Sequence, residues 1–354
     1  MTGGSWSGED LVERLDPETG ARIFVALHSS RLGPPTGGTR MKTYPDDGSA
    51  RRDAMRLAEA MSYKWAAADF PRGGGKAVIA VPPALGAAAR EGLLRRYGAL
   101  LAELSGRFYT GGDLGTSSED MDVIAETGAP YVFSRTPERG GAGGSGSWTA
   151  LGVFAAIETV CERLFGESSP RGRRVVVQGA GSVGAPLIER LAAAGARVAA
   201  ADPDGSSVRR LRERVEIDEI PADRCLAEPC DLFVPCALGG ILNAETIPRV
   251  RARAVVGAAN DQLAHPEDAV RLSDRGVLYA PDFVVNAGGA VAITGIEALG
   301  WSAARAEAAV RGIGGRLRRV LDLAEAGDVS TDAAARRLAE ERLRRGAGPQ
   351  AEGR

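Results

Sequence analysis

Hydrophobic and polar residues follow two periods in the first third of the chain. Residues 20–30 alternate and are rich in β-branched and aromatic side chains, a pattern that predicts a strand. Apolar or small residues at helical spacing predict a helix over 49–65. The same reasoning predicts a loop over 33–40, a glycine break at 71–75, strands at 77–81 and 107–110, and a helix over 87–104. This part of the chain is therefore predicted to be mixed α/β.

Short apolar strands alternate with helices in the rest of the chain. A glycine-rich stretch over 138–147 indicates a hinge or linker before a predicted helix over 148–165. Strands are predicted at 175–178, 198–202, 232–235, 254–257 and 277–279, and residues 303–345 are predicted to be helical. This alternation is typical of a doubly wound parallel sheet, so we expect an α/β fold with two domains.

Composition and charge narrow the class of protein. The 354 residues are 44% hydrophobic and 25% charged, with a formal net charge of −2. Such a chain has no bulk attraction to nucleic acid or to an anionic membrane, and no apolar run approaches the roughly 20 residues of a membrane span. Residues 1–10 are polar and lack the order of a signal peptide. We therefore expect a cytoplasmic protein without nucleic-acid or membrane partners.

Cysteine and histidine give no sign of a metal site or a disulfide framework. The four cysteines form no CxxC pair; they are Cys161, Cys225, Cys230 and Cys236. The two histidines, His28 and His265, stand in no metal-ligand spacing. No bound metal is expected.

Lysine is rare, and its positions are informative. Of the 44 basic residues only three are lysines, Lys42, Lys64 and Lys76, which leaves 41 arginines. Arginine stays charged at every working pH, whereas burial and neighbours can shift the pKa of lysine, so a retained lysine indicates a need for lysine chemistry. Lys76 also follows three glycines, which allow a close approach of substrate and backbone.

Lys64 and Lys76 can divide two tasks between them. Two lysines in one cleft repel each other, which lowers the pKa of the more buried one. That arrangement provides one charged lysine for a carboxylate and one base near neutral pH. The alternative is two solvated surface lysines. Asp113, beside Gly111 and Gly112, is either a proton relay next to Lys76 or a cap of a turn or helix.

A glycine motif follows the predicted strand at 175–178. Gly179, Gly181 and Gly184 have the spacing GxGxxG between a strand and a helix, where backbone N–H groups bind a pyrophosphate. Asp202 closes the next strand and suits the ribose hydroxyls. A carboxylate repels a 2′-phosphate, so the motif predicts NAD rather than NADP. The alternative is that these glycines only form turns.

With these motifs the chain resembles the glutamate/leucine/phenylalanine/valine dehydrogenases, nearest the leucine/phenylalanine branch. The resemblance covers almost the whole chain. It rests on segments in family order, at 33–41, 61–64, 73–76, 110–122, 138–143, 178–184, 235–240, 257–260 and 280–289.

The resemblance implies an NAD-dependent oxidoreductase that converts an L-amino acid reversibly to its 2-keto acid and ammonia. Lys76 would be the base that activates water, and Asp113 would relay protons and hold Lys76. The substrate would be bound by Lys64, Gly37, Gly38, Asn286, Thr36 and Gly111. NAD would be bound by Gly179, Gly181, Ser182, Val183, Gly184, Asp202, Thr149, Ala237 and Asn260.

Departures from the family pattern bear on the substrate. Glutamate enzymes carry a lysine at the position of Thr36, so an acidic side chain is disfavoured. The leucine branch has alanine and a larger residue where this chain has Gly111 and Gly112. Together with Gly312, Gly314 and Gly315 in a predicted helix, these glycines favour a bulky or aromatic side chain; the alternative is that they serve packing. Branched-chain amino acids and tryptophan are the alternative substrates.

The resemblance also assigns the domains. Residues 1–138, with about 330–354 returning, would form a substrate-binding and oligomerisation domain. Residues 139–329 would form a Rossmann NAD-binding domain, with a cleft between the two that closes on substrate. A homo-oligomer is expected. The alternative of another class is a non-catalytic NAD-binding regulatory module, which the presence of Lys64, Lys76 and Asp113 disfavours.

Overall fold

The chain folds into two compact units in the computed structural model, which describes residues 6–237 and 239–347. Unit 1 lies within 1–144, 293–300 and 339–354, and unit 2 lies within 145–292 and 301–338. The predictions that concern residues 1–5, Leu238 and 348–354 lie outside the described residues.

Unit 1 is built on a mixed sheet with the order β1-β2-β4-β3-β5. Its strands are β1 (Asp10–Leu15), β2 (Arg22–Ser29), β3 (Pro35–Lys42), β4 (Gly73–Ala80) and β5 (Tyr109–Gly112). Strand β2 pairs antiparallel with β1 and β4, whereas β3 pairs parallel with β4 and β5. The carboxyl ends of β3, β4 and β5 therefore lie at the same edge of the sheet.

Two predictions about this sheet are wrong. Residues 35–40 belong to the central strand β3 rather than to a loop, and the glycines at 73–75 begin β4 rather than interrupt it. The glycines are there because neighbours pack directly on the backbone. A Cβ on Gly73 would lie 2.1 Å from the Ser29 carbonyl oxygen, and one on Gly74 would lie 2.0 Å from Ser62 Oγ.

Helices cover both faces of this sheet, namely α1 (Asp47–Ala67), α2 (Ala87–Glu103) and α3 (Ser118–Gly128). Ile23 and Val25 face a core shared with α2 and α3, while Phe24 and Ala26 face a core shared with α1. The alternation of side chains along β2 thus fills two cores. This double burial makes the middle of β2 a continuous apolar run rather than the alternating pattern that the sequence analysis describes.

Unit 2 contains a parallel sheet with the order β11-β10-β9-β6-β7-β8. Its strands are β6 (Arg174–Gln178), β7 (Arg197–Ala201), β8 (Asp218–Glu219), β9 (Leu232–Pro235), β10 (Ala254–Val255) and β11 (Leu278–Tyr279). With β6 counted as the first strand, the order is that of a Rossmann fold, 3-2-1-4-5-6. The doubly wound prediction is therefore confirmed.

Nine α-helices follow in the described part of the chain after α3. They are α4 (Gly146–Phe165), α5 (Gly184–Ala193), α6 (Gly205–Arg212), α7 (Glu267–Asp274), α8 (Asp282–Val285), α9 (Gly288–Leu299), α10 (Ala303–Arg311), α11 (Ile313–Ala326) and α12 (Thr331–Arg345). The stretch Asp282–Leu299 has the length and hydropathy of a membrane span, but 67% of it is buried inside the protein. This stretch therefore has the burial of a helix packed inside the protein.

The C-terminal helix returns to unit 1. Residues 339–347 belong to that unit, where Ala339 packs with Leu32 and Ala66 in a small apolar cluster. The backbone N–H of Ala347 donates to the carbonyl oxygen of Arg31 at 2.8 Å. The chain thus leaves unit 1 and completes it again near its end.

Candidate active site

Lys76 and Asp113 form a shielded ion pair in unit 1. Lys76 lies on β4, and its Nζ lies 2.8 Å from Oδ2 of Asp113, which follows the end of β5. The Lys76 side chain is 7% exposed and that of Asp113 is 21% exposed, so bulk water screens their attraction poorly. Asp113 does not cap α3, because the N-cap is Ser117, whose side chain accepts from the Asp120 N–H.

Arg40 on β3 is a second cation on the same carboxylate. Its Nε donates to Asp113 Oδ2 at 3.0 Å, and its Nη1 donates to Asp53 Oδ2 at 3.1 Å. Burial works against ionisation of Asp113, but Lys76 and Arg40 hold the pKa of its carboxyl well below the ordinary value. Asp113 is therefore a fixed negative charge beside Lys76.

Arg40 is a residue that the sequence analysis missed. Side chains alternate along a strand, so Thr36, Gly38 and Arg40 share one face of β3. A period of two from Gly38 would have identified Arg40. Because the chain has 41 arginines, an arginine at this position does not stand out in the sequence.

Gly37 and Gly38 have no side chains, which lets the backbone of β3 lie close to the backbone of β4 and to the Lys76 ammonium group. A Cβ on Gly37 would lie 1.8 Å from the Gly75 carbonyl oxygen. A Cβ on Gly38 would lie 2.8 Å from Asp113 Cβ and 3.3 Å from Lys76 Nζ. Any side chain at position 38 would therefore crowd the ion pair.

The remaining predicted residues of unit 1 lie on the neighbouring elements. Lys64 lies half-buried in the last turn of α1. Thr36 is buried on β3, where its Oγ1 donates to the Pro34 carbonyl oxygen at 2.9 Å. Gly111 lies on β5 in register with Gly38. The hydroxyl of Thr36 is thus used by the backbone, and this position provides no cation for an acidic substrate.

The glycine loop of unit 2 has the geometry that a dinucleotide requires. Gly179 adopts a φ of +97°, and a Cβ on Gly184 would lie 1.9 Å from the Gly179 carbonyl oxygen. A Cβ on Gly181 would meet no atom within 4 Å, so the space over this residue is open. Asp202 follows β7, and its Oδ2 accepts the N–H of Ala180 at 2.7 Å. These residues fit NAD.

Three further predicted residues adjoin this loop. Ser182 and Val183 lead into α5, and Val183 is its N-cap residue. Ala237 is exposed after β9, and its Cβ would lie 3.0 Å from a Cβ on Gly179. The loop is therefore shaped by the chain segment after β9 as well as by its own glycines.

Asn286 and Asn260 are hydrogen-bonded to each other in unit 2. Asn286 Nδ2 donates to Asn260 Oδ1 at 2.9 Å and to the Ala258 carbonyl oxygen at 3.1 Å. Asn286 is 6% exposed, and its Oδ1 has no hydrogen-bond partner among residues 6–237 and 239–347. A buried acceptor of this kind calls for a donor from outside the described chain. Thr149, which is buried on α4, would lie 2.7 Å from a Cβ on Gly289.

The glycines that favour an enlarged substrate pocket serve packing in part. A Cβ on Gly314 would lie 2.9 Å from both the Ala155 carbonyl oxygen and Thr159 Oγ1, so Gly314 lets α11 approach α4. A Cβ on Gly111 would lie 2.9 Å from Ser134 Oγ. The interpretation of Gly314 as clearance is wrong, because α4 packs directly against it, whereas for Gly111 it stays a prediction. Asp261 has a φ of +52°, a conformation that Asp and Asn tolerate better than most residues.

A Rossmann unit with a dinucleotide loop, together with a shielded lysine–aspartate pair in a second α/β unit, defines an amino-acid dehydrogenase. The chain matches the family model for the Glu/Leu/Phe/Val dehydrogenase dimerisation domain over residues 15–129. It matches that for Glutamate/Leucine/Phenylalanine/Valine dehydrogenase over 140–208 and 204–344. The chain belongs to the Glu/Leu/Phe/Val dehydrogenase family.

Characterised relatives agree with this membership. The chain is 38% identical to leucine dehydrogenase of Bacillus subtilis over 95% of its length and 92% of the relative's. It is 41% identical to valine dehydrogenase of Streptomyces coelicolor over the same shares of the two chains. Among solved structures, L-tryptophan dehydrogenase from Nostoc punctiforme superposes with a TM-score of 0.81 at 33% identity, over 96% of each chain.

Proposed function

We propose that this protein catalyses the NAD-dependent oxidative deamination of an apolar L-amino acid to its 2-keto acid and ammonia, and the reverse reductive amination. The observation that carries the proposal is the Lys76–Asp113 ion pair, with Nζ and Oδ2 at 2.8 Å. A shielded lysine beside a permanently charged carboxylate can hold a proton and return it at one fixed position. A non-catalytic NAD-binding module would need no such pair.

Each predicted residue has a role in this proposal. Lys64 binds the substrate carboxylate with help from the backbone at Gly37 and Gly38. Lys76 takes a proton from the water that adds to the imino carbon and returns it to the nitrogen, which leaves as ammonia when the C–N bond breaks; Asp113 keeps Lys76 in place. The buried Oδ1 of Asn286 accepts from the substrate amino group, which supplies the donor that this oxygen lacks.

The nucleotide is held by unit 2. The N–H groups of the loop at Gly181, Ser182 and Val183 bind the pyrophosphate, and Asp202 accepts from the ribose hydroxyls. Thr149, Ala237 and Asn260 orient the nicotinamide end. NAD, when bound, accepts the hydride from the substrate Cα.

The side chain of the substrate is branched and aliphatic in our proposal. The relatives named above act on leucine and valine, and Ser134 fills the space that Gly111 leaves open. Tryptophan is the second candidate, because the tryptophan dehydrogenase covers 96% of this chain at 33% identity. Glutamate is disfavoured, because the hydroxyl at Thr36 provides no positive charge for a second carboxylate.

The wider assignments are part of the same proposal. Residues 1–138 with the returning C-terminal segment bind substrate and form the contacts of a homo-oligomer. Residues 139–329 bind NAD. The enzyme works in the cytoplasm.

The test is the formation of NADH, followed by its absorbance, with a panel of L-amino acids and with either cofactor. We expect turnover of leucine or valine with NAD, and loss of turnover in Lys76→Ala while NAD binding, measured by calorimetry, persists. If no amino acid or keto acid turns over but NAD still binds, the regulatory-module alternative replaces this proposal.

A further inference from the structure

Asp53 is a carboxylate on the buried face of helix α1. Its neighbours on this face, Ala50 and Ala54, pack in the core that Phe24 and Val78 of the sheet form with α1. The Asp53 side chain is itself only 15% exposed. Burial of a charge costs free energy unless the charge is paired. An alanine at position 53 would continue the apolar face, so the carboxylate is there for its partners rather than for the packing of the helix.

Arg40 on β3 is the partner that leads from Asp53 to the active site. Its Nη1 donates to Asp53 Oδ2 at 3.1 Å, and Nε of the same guanidinium donates to Asp113 Oδ2 at 3.0 Å. Because a guanidinium is planar and rigid, two carboxylates that bind different nitrogens fix both its position and its plane. Asp53, Arg40, Asp113 and Lys76 therefore form one chain of alternating charges.

Two further donors hold the Asp53 carboxylate. The Tyr44 hydroxyl donates to Oδ2 at 2.7 Å, and Arg56 Nη2 donates to Oδ1 at 2.9 Å. Burial acts to raise the pKa of Asp53, but these hydrogen bonds and the charge of Arg40 outweigh it and hold the pKa below its ordinary value. Asp53 is thus a fixed negative charge with contacts on both oxygens.

Helix α1 carries Lys64 as well as Asp53. Lys64 follows Asp53 by about three turns at 3.6 residues per turn, so both residues lie on the same face of the helix. One helix therefore presents the proposed ligand of the substrate carboxylate and the residue that fixes Arg40.

We propose that Asp53 is a positioning residue: by holding Arg40 it fixes Asp113, and through Asp113 the ammonium group of Lys76. This inference rests on the proposed amino-acid dehydrogenase activity. Helix α1 then sets the distance between the substrate carboxylate at Lys64 and the proton-transferring group at Lys76, because both are held from the same rigid element.

The first test compares Asp53→Asn with Asp47→Asn. Asp47 lies on the same helix, and its ion pair with Arg22 is about half-exposed. Asp53→Asn removes the charge that holds Arg40 at nearly the same size. We expect kcat on leucine to fall about tenfold, with KM for leucine and Kd for NAD within about twofold of the wild type, because the lost contact displaces reacting groups and not the bound ligands.

The control variant Asp47→Asn keeps wild-type kinetics, because an exposed ion pair contributes little. A wild-type kcat in Asp53→Asn overturns the proposal, and so does an effect on KM alone.

The second test is a double-mutant cycle with Arg40→Leu. If Asp53 acts through Arg40, its replacement matters only while the guanidinium is present. We expect Asp53→Asn to lower kcat about tenfold in the wild-type background and less than about twofold in the Arg40→Leu background. Equal losses in the two backgrounds would show that Asp53 acts by another route, and the proposal would fail.

Tyr44→Phe separates the Asp53–Arg40 ion pair from the other contacts of Asp53. This substitution removes one hydrogen bond to Oδ2 but leaves both charges, so we expect kcat to stay within about threefold of the wild type. A loss as large as that of Asp53→Asn would contradict the role of the charge on Arg40.

These outcomes separate the role of Asp53 from the proposed function. If the wild type oxidises no amino acid, the proposed function itself fails. If it oxidises leucine and Asp53→Asn retains the wild-type kcat, only the role of Asp53 fails.

Discussion

The Nζ of Lys76 lies 2.8 Å from Oδ2 of Asp113, and this same oxygen accepts a hydrogen bond from Arg40. One carboxylate oxygen thus faces two cations of different chemistry. Arg40 keeps its charge at all working pH values, so it is a permanent cation on Asp113. It anchors Asp113 from β3 while Lys76 contacts the same oxygen from β4.

Arg40 is expected to position Asp113. In Arg40→Leu, Asp113 loses its second anchor, and we expect kcat to fall about 10- to 100-fold with little change in KM, because small displacements at reacting groups are costly. Steady-state kinetics on leucine measure this effect. Arg14→Leu is the control, because the Arg14–Glu103 pair is about half-exposed and contributes little. A wild-type kcat in Arg40→Leu would contradict the role assigned to it.

Gly38→Ala is expected to inactivate the enzyme without affecting NAD binding. The added Cβ would lie 2.8 Å from Asp113 Cβ and 3.3 Å from Lys76 Nζ, so the ion pair must move. We expect kcat/KM to fall at least about 100-fold. Calorimetry with NAD and turnover of leucine separate the two functions. Gly86→Ala, whose Cβ meets no atom within 4 Å, should retain full activity; equal loss in both variants would argue against the crowding.

Asp202 is expected to set the preference for NAD. In Asp202→Ser the carboxylate that repels a 2′-phosphate is lost, and we expect the ratio of kcat/KM for NAD to that for NADP to fall about tenfold or more. Asp202→Asn removes the charge at nearly the same size, but its single oxygen can accept only one of the two backbone N–H groups, of Ala180 and Asp204, that the carboxylate accepts. The idea fails if both variants keep the selectivity of the wild type.

Two adjacent glycines of α11 are expected to respond in opposite directions to the same substitution. Gly315 is exposed and open, so Gly315→Ala should raise the free energy of unfolding by about 0.8 kcal/mol, the difference in helix propensity. Gly314→Ala should lower it by about 1–3 kcal/mol, because the Cβ meets Ala155 and Thr159 at 2.9 Å. Urea unfolding measures both. A stabilised Gly314→Ala would restore the interpretation of this glycine as clearance.

The Asp16–Arg96 contact predicts a pH-dependent stability. Asp16 accepts from Arg96 Nε at 2.6 Å and from Nη2 at 2.9 Å, and its pKa is lowered, mainly by this hydrogen bonding and against the effect of burial. A lowered folded-state pKa contributes stability above the ordinary value of 3.8, and this is lost as pH falls through the folded value. Asp16→Asn should cost about 2 kcal/mol at pH 7 and progressively less below pH 4, by urea unfolding. A constant difference across this range would contradict the linkage.

The sequence predicts unit 2 better than unit 1, for a physical reason. Strands such as Arg174–Gln178 and Leu232–Pro235 are buried on both faces and read as short apolar runs between helices. Strand β3 (Pro35–Lys42) contains proline and two glycines, and its place in the sheet depends on packing with β4 that no local pattern shows. The glycines at 73–75 suggest a break in the sequence for the same reason, because their place in β4 depends on packing that no local pattern shows.

The two lysines and the glycine loop were predicted from their chemistry and spacing, and the other site residues from the family resemblance. The scarcity of lysine identifies Lys64 and Lys76, and spacing identifies Gly179 to Gly184. Neither signal shows that Arg40 shares a carboxylate with Lys76, or that the hydroxyl of Ser134 lies close to Gly111. Those contacts join residues far apart in the chain, and only the folded structure brings them together.

The apolar cluster of Leu32, Ala66 and Ala339 has a consequence for protein synthesis. At about 5–20 residues per second, a ribosome reaches Ala339 on the order of tens of seconds after Ala66. The first part of unit 1 must wait during this time with one of its apolar surfaces uncovered, while the Rossmann sheet of unit 2 is already complete in sequence. A nascent chain that is released before Ala339 therefore leaves Leu32 and Ala66 without this partner.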